Sequence, residues 1–266
     1  MINVNDVLKY LESRFPYDLA ADFDKGKIGL TIGNKNNIVT GIVCSLDLTN
    51  EVIEDAIEKN ANLIICHHPF AFSGMTKVLY EEEKGSLIYN MVKNDISLIA
   101  MHTNMDLGYD GVADTLCKLY DLKNSNYGVN FKDDYARYGE IEEVTLKQLA
   151  EMTKKIFNLN SVKVVGDLNK KITKIGILGG SGGQEYEIIK AINMGCDCYI
   201  TGEIKHNIAL TAHYYGLSLI EISHGIEKIV FNKLIDDIKK EFNINIEYTS
   251  YDTDLFEYIY RSDINE

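Results

Sequence analysis

Apolar positions along this chain alternate between helical spacing and short unbroken runs. Val4, Val7, Leu8 and Leu11 recur at helical steps and Pro16 follows, which predicts a helix over residues 4–15. A glycine-punctuated stretch, KIGLTIGNKNN, leads to an apolar run that predicts a strand over 38–45. Val52, Ile53, Ala56 and Ile57 then mark the inward face of a helix over 50–59, and a second buried strand covers 62–66. Strand, helix and strand in that order make a βαβ unit, whose parallel strands need covering helices. The pattern continues with a helix over 86–93, a strand over 97–101 and a helix over 111–119.

Between Lys123 and Tyr135 the chain turns polar and weakly patterned, which places a domain junction there. The expected division is a first α/β lobe over 1–124 and a second over 125–266, the latter including the C-terminal helix and tail. The second lobe opens with a helix over 145–156, then a strand over 172–178, the turn GGSGG and a helix over 186–194. A strand over 198–201, a helix over 207–215, a strand over 218–222 and a long amphipathic helix over 227–242 follow. An alternating NINIEY run and YDTDLFEYI, read as a last strand, close the pattern.

The halves repeat each other. VCSLDLTNEVIEDAIEKNANLIICHH and LGGSGGQEYEIIKAINMGCDCYITGE share one strand–turn–helix–strand plan. Ala56 registers with Ala191, Asn60 with Gly195 and Ile65 with Ile200, which sets His67 and His68 opposite Gly202 and Glu203. Two related α/β lobes are expected, and a cleft between such lobes is a natural place for a site.

Composition narrows the partners. With 266 residues and 45% hydrophobic content, the chain can build one large core or two ordinary ones. No stretch approaches the roughly 18 apolar residues of a membrane span, and the N-terminus lacks a basic region followed by an apolar one. A cytoplasmic location without membrane partners is therefore expected. Five cysteines without a CxxC pair read as small buried hydrophobes. Forty acidic against 27 basic residues give a net charge of -13, which argues against double-stranded nucleic acid as a general partner. A small anionic substrate stays compatible, because bound cations would reverse the local field.

The candidate chemistry collects at strand ends. ICHHP, MHTNMD and ISHGIE each follow an apolar strand, and the carboxyl ends of strands are where open α/β sheets build sites. Imidazole together with carboxylate suits zinc, iron, manganese or cobalt. On an extended segment His67 and His68 would point opposite ways, toward two different metals. Asp106, four residues past His102, could bridge two cations. His224 and Glu227, three apart, share a face if a helix has begun. His206 and His213 are as well explained by a solvated helix, and GGSGG by close backbone approach as by phosphate binding.

These motifs, SLDLT, NLIICHHPFAF, HTNMD, ILGGSGG, DCYITGEIKHN and SHGIE, occur in an order and spacing that resembles the Nif3-like family of dinuclear metal-centre proteins. Many of its members carry the name GTP cyclohydrolase 1 type 2 homolog. The resemblance spans nearly the whole chain. It implies two α/β lobes with two divalent ions per subunit in the cleft between them, and a toroidal homohexamer. The implied metal ligands are His67, His68, Asp106, His224 and Glu227, with Asp106 and Glu227 as bridges and His102 beside the metals. The family's last motif usually places its glutamate four positions after the histidine, whereas SHGIE places Glu227 three after His224. Long members insert a middle domain between the lobes, for which this chain has no room.

Two function classes follow. A two-metal hydrolase would act on a nucleotide, a phosphoester or another small-molecule substrate, with His102 for proton transfer or orientation. A non-enzymatic metal-binding scaffold or regulatory partner would use the same ligands without turnover.

Overall fold

A computed structural model describes residues 1–128 and 134–256 of the chain. Helix α1 (Val4–Arg14) precedes strands β1 (Gly29–Ile32) and β2 (Ile42–Ser45), helix α2 (Asn50–Glu58) and strand β3 (Leu63–Cys66). Helix α3 (Glu83–Lys93), strand β4 (Ser97–Ala100) and helices α4 (Thr103–Leu107) and α5 (Val112–Leu119) come next. The second series is β5 (Arg137–Thr145), α6 (Leu146–Phe157), β6 (Lys163–Val165), β7 (Lys171–Ile177) and α7 (Glu185–Asn193). It continues through β8 (Cys198–Gly202), α8 (His206–Tyr214) and β9 (Ser218–Ile222). A 3-10 segment at His224–Ile229, helix α9 (Val230–Phe242) and strand β10 (Ile246–Tyr248) follow.

The strands form two five-stranded sheets, ordered β1-β4-β3-β2-β10 and β5-β7-β8-β9-β6. In the first sheet β2, β3 and β4 run parallel, joined by α2 and α3. In the second, β7, β8 and β9 do the same through α7 and α8. The strand preceding each motif returns as an antiparallel edge, β1 on β4 and β6 on β9. The two lobes therefore share one four-stranded topology, and the related pair expected from the sequence is present; the fifth strands differ, β10 lying parallel on β2 and β5 antiparallel on β7.

The repeat extends to how the crossover helices stop. Asn60, Asp95, Gly195 and Gly216, just beyond α2, α3, α7 and α8, all take left-handed φ between 51° and 72°. After each, a backbone N–H reaches back to the last turn: Ala61 to Ala56, Ile96 to Met91, Cys196 to Ala191 and Leu217 to Ala212, at 2.8–3.0 Å. This closure satisfies carbonyls that a helix end would otherwise leave without a partner.

By their contacts the elements group into two compact units. One holds Met1–Val112 and Lys228–Thr253, the other Ala113–Tyr127 and Tyr135–Glu227. The expected 1–124 and 125–266 division differs from this grouping. Strand β10 pairs in parallel with β2, Ile246 against Ile42, and α9 buries Val230, Phe231, Leu234 and Ile238. The C-terminal helix and strand thus belong to the first unit, because an edge of its sheet is open to them and a local pattern cannot encode so distant a return.

Three strands that the apolar pattern did not mark, β1, β5 and β6, are all antiparallel edges. An edge strand faces solvent along one side and tolerates the polar residues that hide it from a search for apolar runs. On α2 the expected inward Ile57 is 44% exposed, while Asp55 turns in and accepts from Lys59 Nζ and Ser250 N at 2.9 and 3.0 Å. Tyr251–Phe256 form no strand, and the rest of the YDTDLFEYI segment lies outside the described residues, as does the middle of the polar junction. No described helix is long and apolar enough to cross a membrane.

In the second unit a fully buried pair, Arg137 Nε to Asp114 Oδ1 at 2.7 Å, ties β5 to α5. Removing one member takes this bond from a charge that stays buried away from water. Asp114→Ala should therefore cost about 3–5 kcal/mol in urea unfolding, and Asp114→Leu with Arg137→Met should recover most of it. An unchanged midpoint in the single variant would show the pair to be dispensable.

Candidate metal centre

In the first unit three backbone devices aim the polar residues. SLDLT ends β2 at Ser45, offers Asp47, and caps α2 through Thr49, whose hydroxyl accepts from Val52 N at 3.3 Å. Beyond β3, His67 N and His68 N still donate to the carbonyls of Ser45 and Leu46, at 3.2 and 2.9 Å. HTNMD is a helical turn: the His102 carbonyl accepts from Met105 N and Asp106 N at 2.8 and 3.1 Å. That turn folds Asp106 back toward His67.

The result is a cluster of three imidazoles, His67, His68 and His102, whose ligating nitrogens lie within 4.8 Å of one another. The His67 and His68 ring centroids are 4.9 Å apart, so the expected opposite orientation is not what the structure shows. The alternation rule applies to extended backbone, and the chain bends at these two residues.

Each imidazole has its own carboxylate. His68 Nδ1 donates to Asp47 Oδ1 at 2.7 Å, and His102 Nδ1 lies 2.9 and 3.0 Å from the two oxygens of Asp24. Because an ionised carboxylate only accepts, these bonds fix the proton on Nδ1 and make Nε2 the ring's lone-pair nitrogen, the atom suited to a cation. Asp24 is fully buried. Burial pushes its carboxyl up, but hydrogen bonds from His102 and from the Thr103 hydroxyl and backbone outweigh this and hold it below its ordinary value. His67 Nε2 stands 3.5 Å from Asp106 Oδ1, too far for a good hydrogen bond. Two donors about 2.1 Å from one tetrahedral ion are roughly 3.4 Å apart, which this separation matches.

The second unit builds a smaller set on the same strand ends. His224 Nδ1 meets Glu203 Oε1 at 2.7 Å, and His224 Nε2 lies 3.2 Å from Glu227 Oε2. The three-residue spacing of SHGIE is explained by its backbone. Residues His224–Ile229 are a 3-10 helix, where side chains three apart stand directly above one another.

The glycine turn after β7 serves Glu227. A Cβ on Gly180 would come 2.4 Å from Glu227 Oε1, and one on Gly179 would come 2.9 Å from its Cγ. Gly180 also has φ +56°, so the close-approach reading of GGSGG has a direct cause.

His206 and His213 are exposed on α8. All five cysteines are free, with Cys44, Cys66, Cys117 and Cys198 buried; desolvation pushes the Cys66 thiol well up, which suits an inert packing residue. Sequence reasoning missed Asp24 and Asp47 as partners of the histidines. Asp47 carried a usable signal, a carboxylate at a strand end in SLDLT, whereas Asp24 comes from a short 3-10 turn, Asp22–Asp24, with none.

The family model Duf34/NIF3 (NGG1p interacting factor 3) matches residues 2–254. A Clostridium acetobutylicum protein named GTP cyclohydrolase 1 type 2 homolog is 32% identical over 254 residues, covering 92% of this chain and 93% of that protein. The crystal structure of the Staphylococcus aureus protein SA1388 superposes with a TM-score of 0.86 at 32% identity, covering 97% of this chain and 99% of the other. A Bacillus cereus protein related to NIF3 gives 0.87 at 25% identity with the same coverage. Matched over nearly its whole length in sequence and fold, the chain belongs to the Duf34/NIF3 family.

Proposed function

We propose that this protein is a metal-dependent hydrolase with a dinuclear centre, in which His67, His68, Asp106, His224 and Glu227 hold two divalent ions. The carrying observation is the donor spacing inside each unit, 3.5 Å for His67–Asp106 and 3.2 Å for His224–Glu227. Mixed imidazole and carboxylate donors suit zinc, iron, manganese or cobalt. When bound, such a pair lowers the pKa of water and neutralises charge on a substrate oxygen. The chain's own residues do the rest. Asp47 and Asp24 hold the His68 and His102 rings in one tautomer and orientation. His102 Nε2 carries or receives the proton that the reaction moves. Substrates with a phosphoester or nucleotide anion fit the field that two cations create, and the family resemblance supports a toroidal homohexamer.

A second reading, a metal-binding scaffold, draws on Tyr186, Leu210 and Tyr214, which are 65%, 56% and 82% exposed on α7 and α8. It shares the metal ligands and differs in having no turnover.

His68→Ala and Asp106→Ala should each lower bound metal from about two ions per chain while circular dichroism stays native. Wild-type metal content in both purified variants would overturn the ligand assignment. Asp47→Asn should keep the ligands yet weaken metal affinity about 10–100-fold, read by competition with a chelator. The hydrolase reading predicts metal-dependent turnover of a nucleotide or phosphoester by protein loaded with zinc, manganese, iron or cobalt. Silence across a broad panel with all four metals would leave the scaffold reading in its place.

A further inference from the structure

Phe23 and Phe72 are 58% and 51% exposed, so each ring presents apolar surface to solvent. Both stand edge-on to the His102 imidazole, with centroids 6.1 and 5.5 Å away and interplanar angles of 63° and 70°. His102 belongs to the three-imidazole cluster, so these rings border the candidate centre rather than a remote face. Lys27 brings a charge to the same place. Its Nζ lies 5.8 Å from the Phe72 ring centroid, the side chain is half-buried, and among the described residues no carboxylate reaches it within ion-pair distance. In a chain of net charge -13, a half-buried lysine outside ion-pair reach of the described carboxylates matches an anion supplied from outside.

We propose that Phe23, Phe72 and Lys27 form a substrate subsite for a planar aromatic ring that carries an anionic group, the chemistry of a nucleoside phosphate. The ring stacks on the exposed phenylalanine surface and the anion meets Lys27. That docking seats the ligand beside His67, His68 and His102. The proposal rests on the metal-dependent reading above and narrows its substrate class. Stacking selects the ring by its π-face, so it tolerates different bases but not the loss of the base.

The test uses full-length, metal-loaded protein and two probes that hydrolysis cannot cleave, a purine nucleoside phosphonate and the ribose phosphonate lacking the base. Calorimetry should show the nucleoside probe binding at least about tenfold tighter. Phe23→Leu and Phe72→Leu keep apolar bulk but remove the ring. Each should weaken the nucleoside probe about 5- to 150-fold, the range of one base–aromatic stack, and leave the ribose probe unchanged. Phe72→Trp should restore discrimination, and Lys27→Gln should weaken both probes alike. Equal affinity for the two probes, binding of neither, or full nucleoside affinity in both leucine variants would overturn the subsite. Metal content is measured in every preparation. Metal-replete protein that ignores the base refutes the subsite alone, whereas metal-free wild type refutes the hydrolase reading while base discrimination is still read.

Discussion

Strands β2, β3 and β4 are buried at every position, and so is β8. A charged side chain within them would lose its water at a cost of several kcal/mol, and the polar residues they do hold, Ser45, Ser97 and Thr201, are small and uncharged. Chemistry is therefore pushed to the first residues past the strands: Asp47 beyond β2, His67 and His68 beyond β3, His102 beyond β4. Even there burial is deep, since His67 is fully enclosed. Carboxylates answer it. Asp47 and Asp24 accept from the Nδ1 atoms of His68 and His102, and Asp24 is itself held charged by His102 and Thr103. The imidazoles are thus oriented before any ligand arrives, which lowers the ordering cost of binding one.

One topology serves two different tips. The strand order, the antiparallel edge and the left-handed helix stops recur in both units, because these depend on packing and on closing backbone hydrogen bonds. The strand-end residues diverge. Where β3 leads into His67 and His68, β8 leads into Glu203; where β2 leads into Asp47, β7 leads into glycines. Those glycines leave room that side chains would fill, and the Glu227 carboxylate occupies it.

How much of this could be read from the sequence follows the same physics. Central strands were legible because burial on both faces demands unbroken apolar runs, as in Leu63 to Cys66. Edge strands such as β5, with Glu140, Glu142 and Glu143 along it, lacked that demand and looked like loop. His67, His68, His102, Asp106 and His224 stood out because each follows an apolar run. Asp24 did not, since what makes it a partner of His102 is a contact 78 residues away in the chain. Glu227 looked misplaced only against the four-residue spacing usual in the family's last motif. The backbone there is tighter, and local spacing gave no warning of that.

The return of α9 and β10 to the first unit has a consequence for how the chain is made. During synthesis β2 emerges early, but its neighbour β10 is translated only after the whole second unit. Until then the nascent first sheet exposes the bare edge of β2, a template for pairing with another chain. Completing that sheet also closes a loop of about two hundred residues, the kind of non-local contact that slows folding. The ribosome thus releases a polypeptide whose earliest domain is the last to be finished.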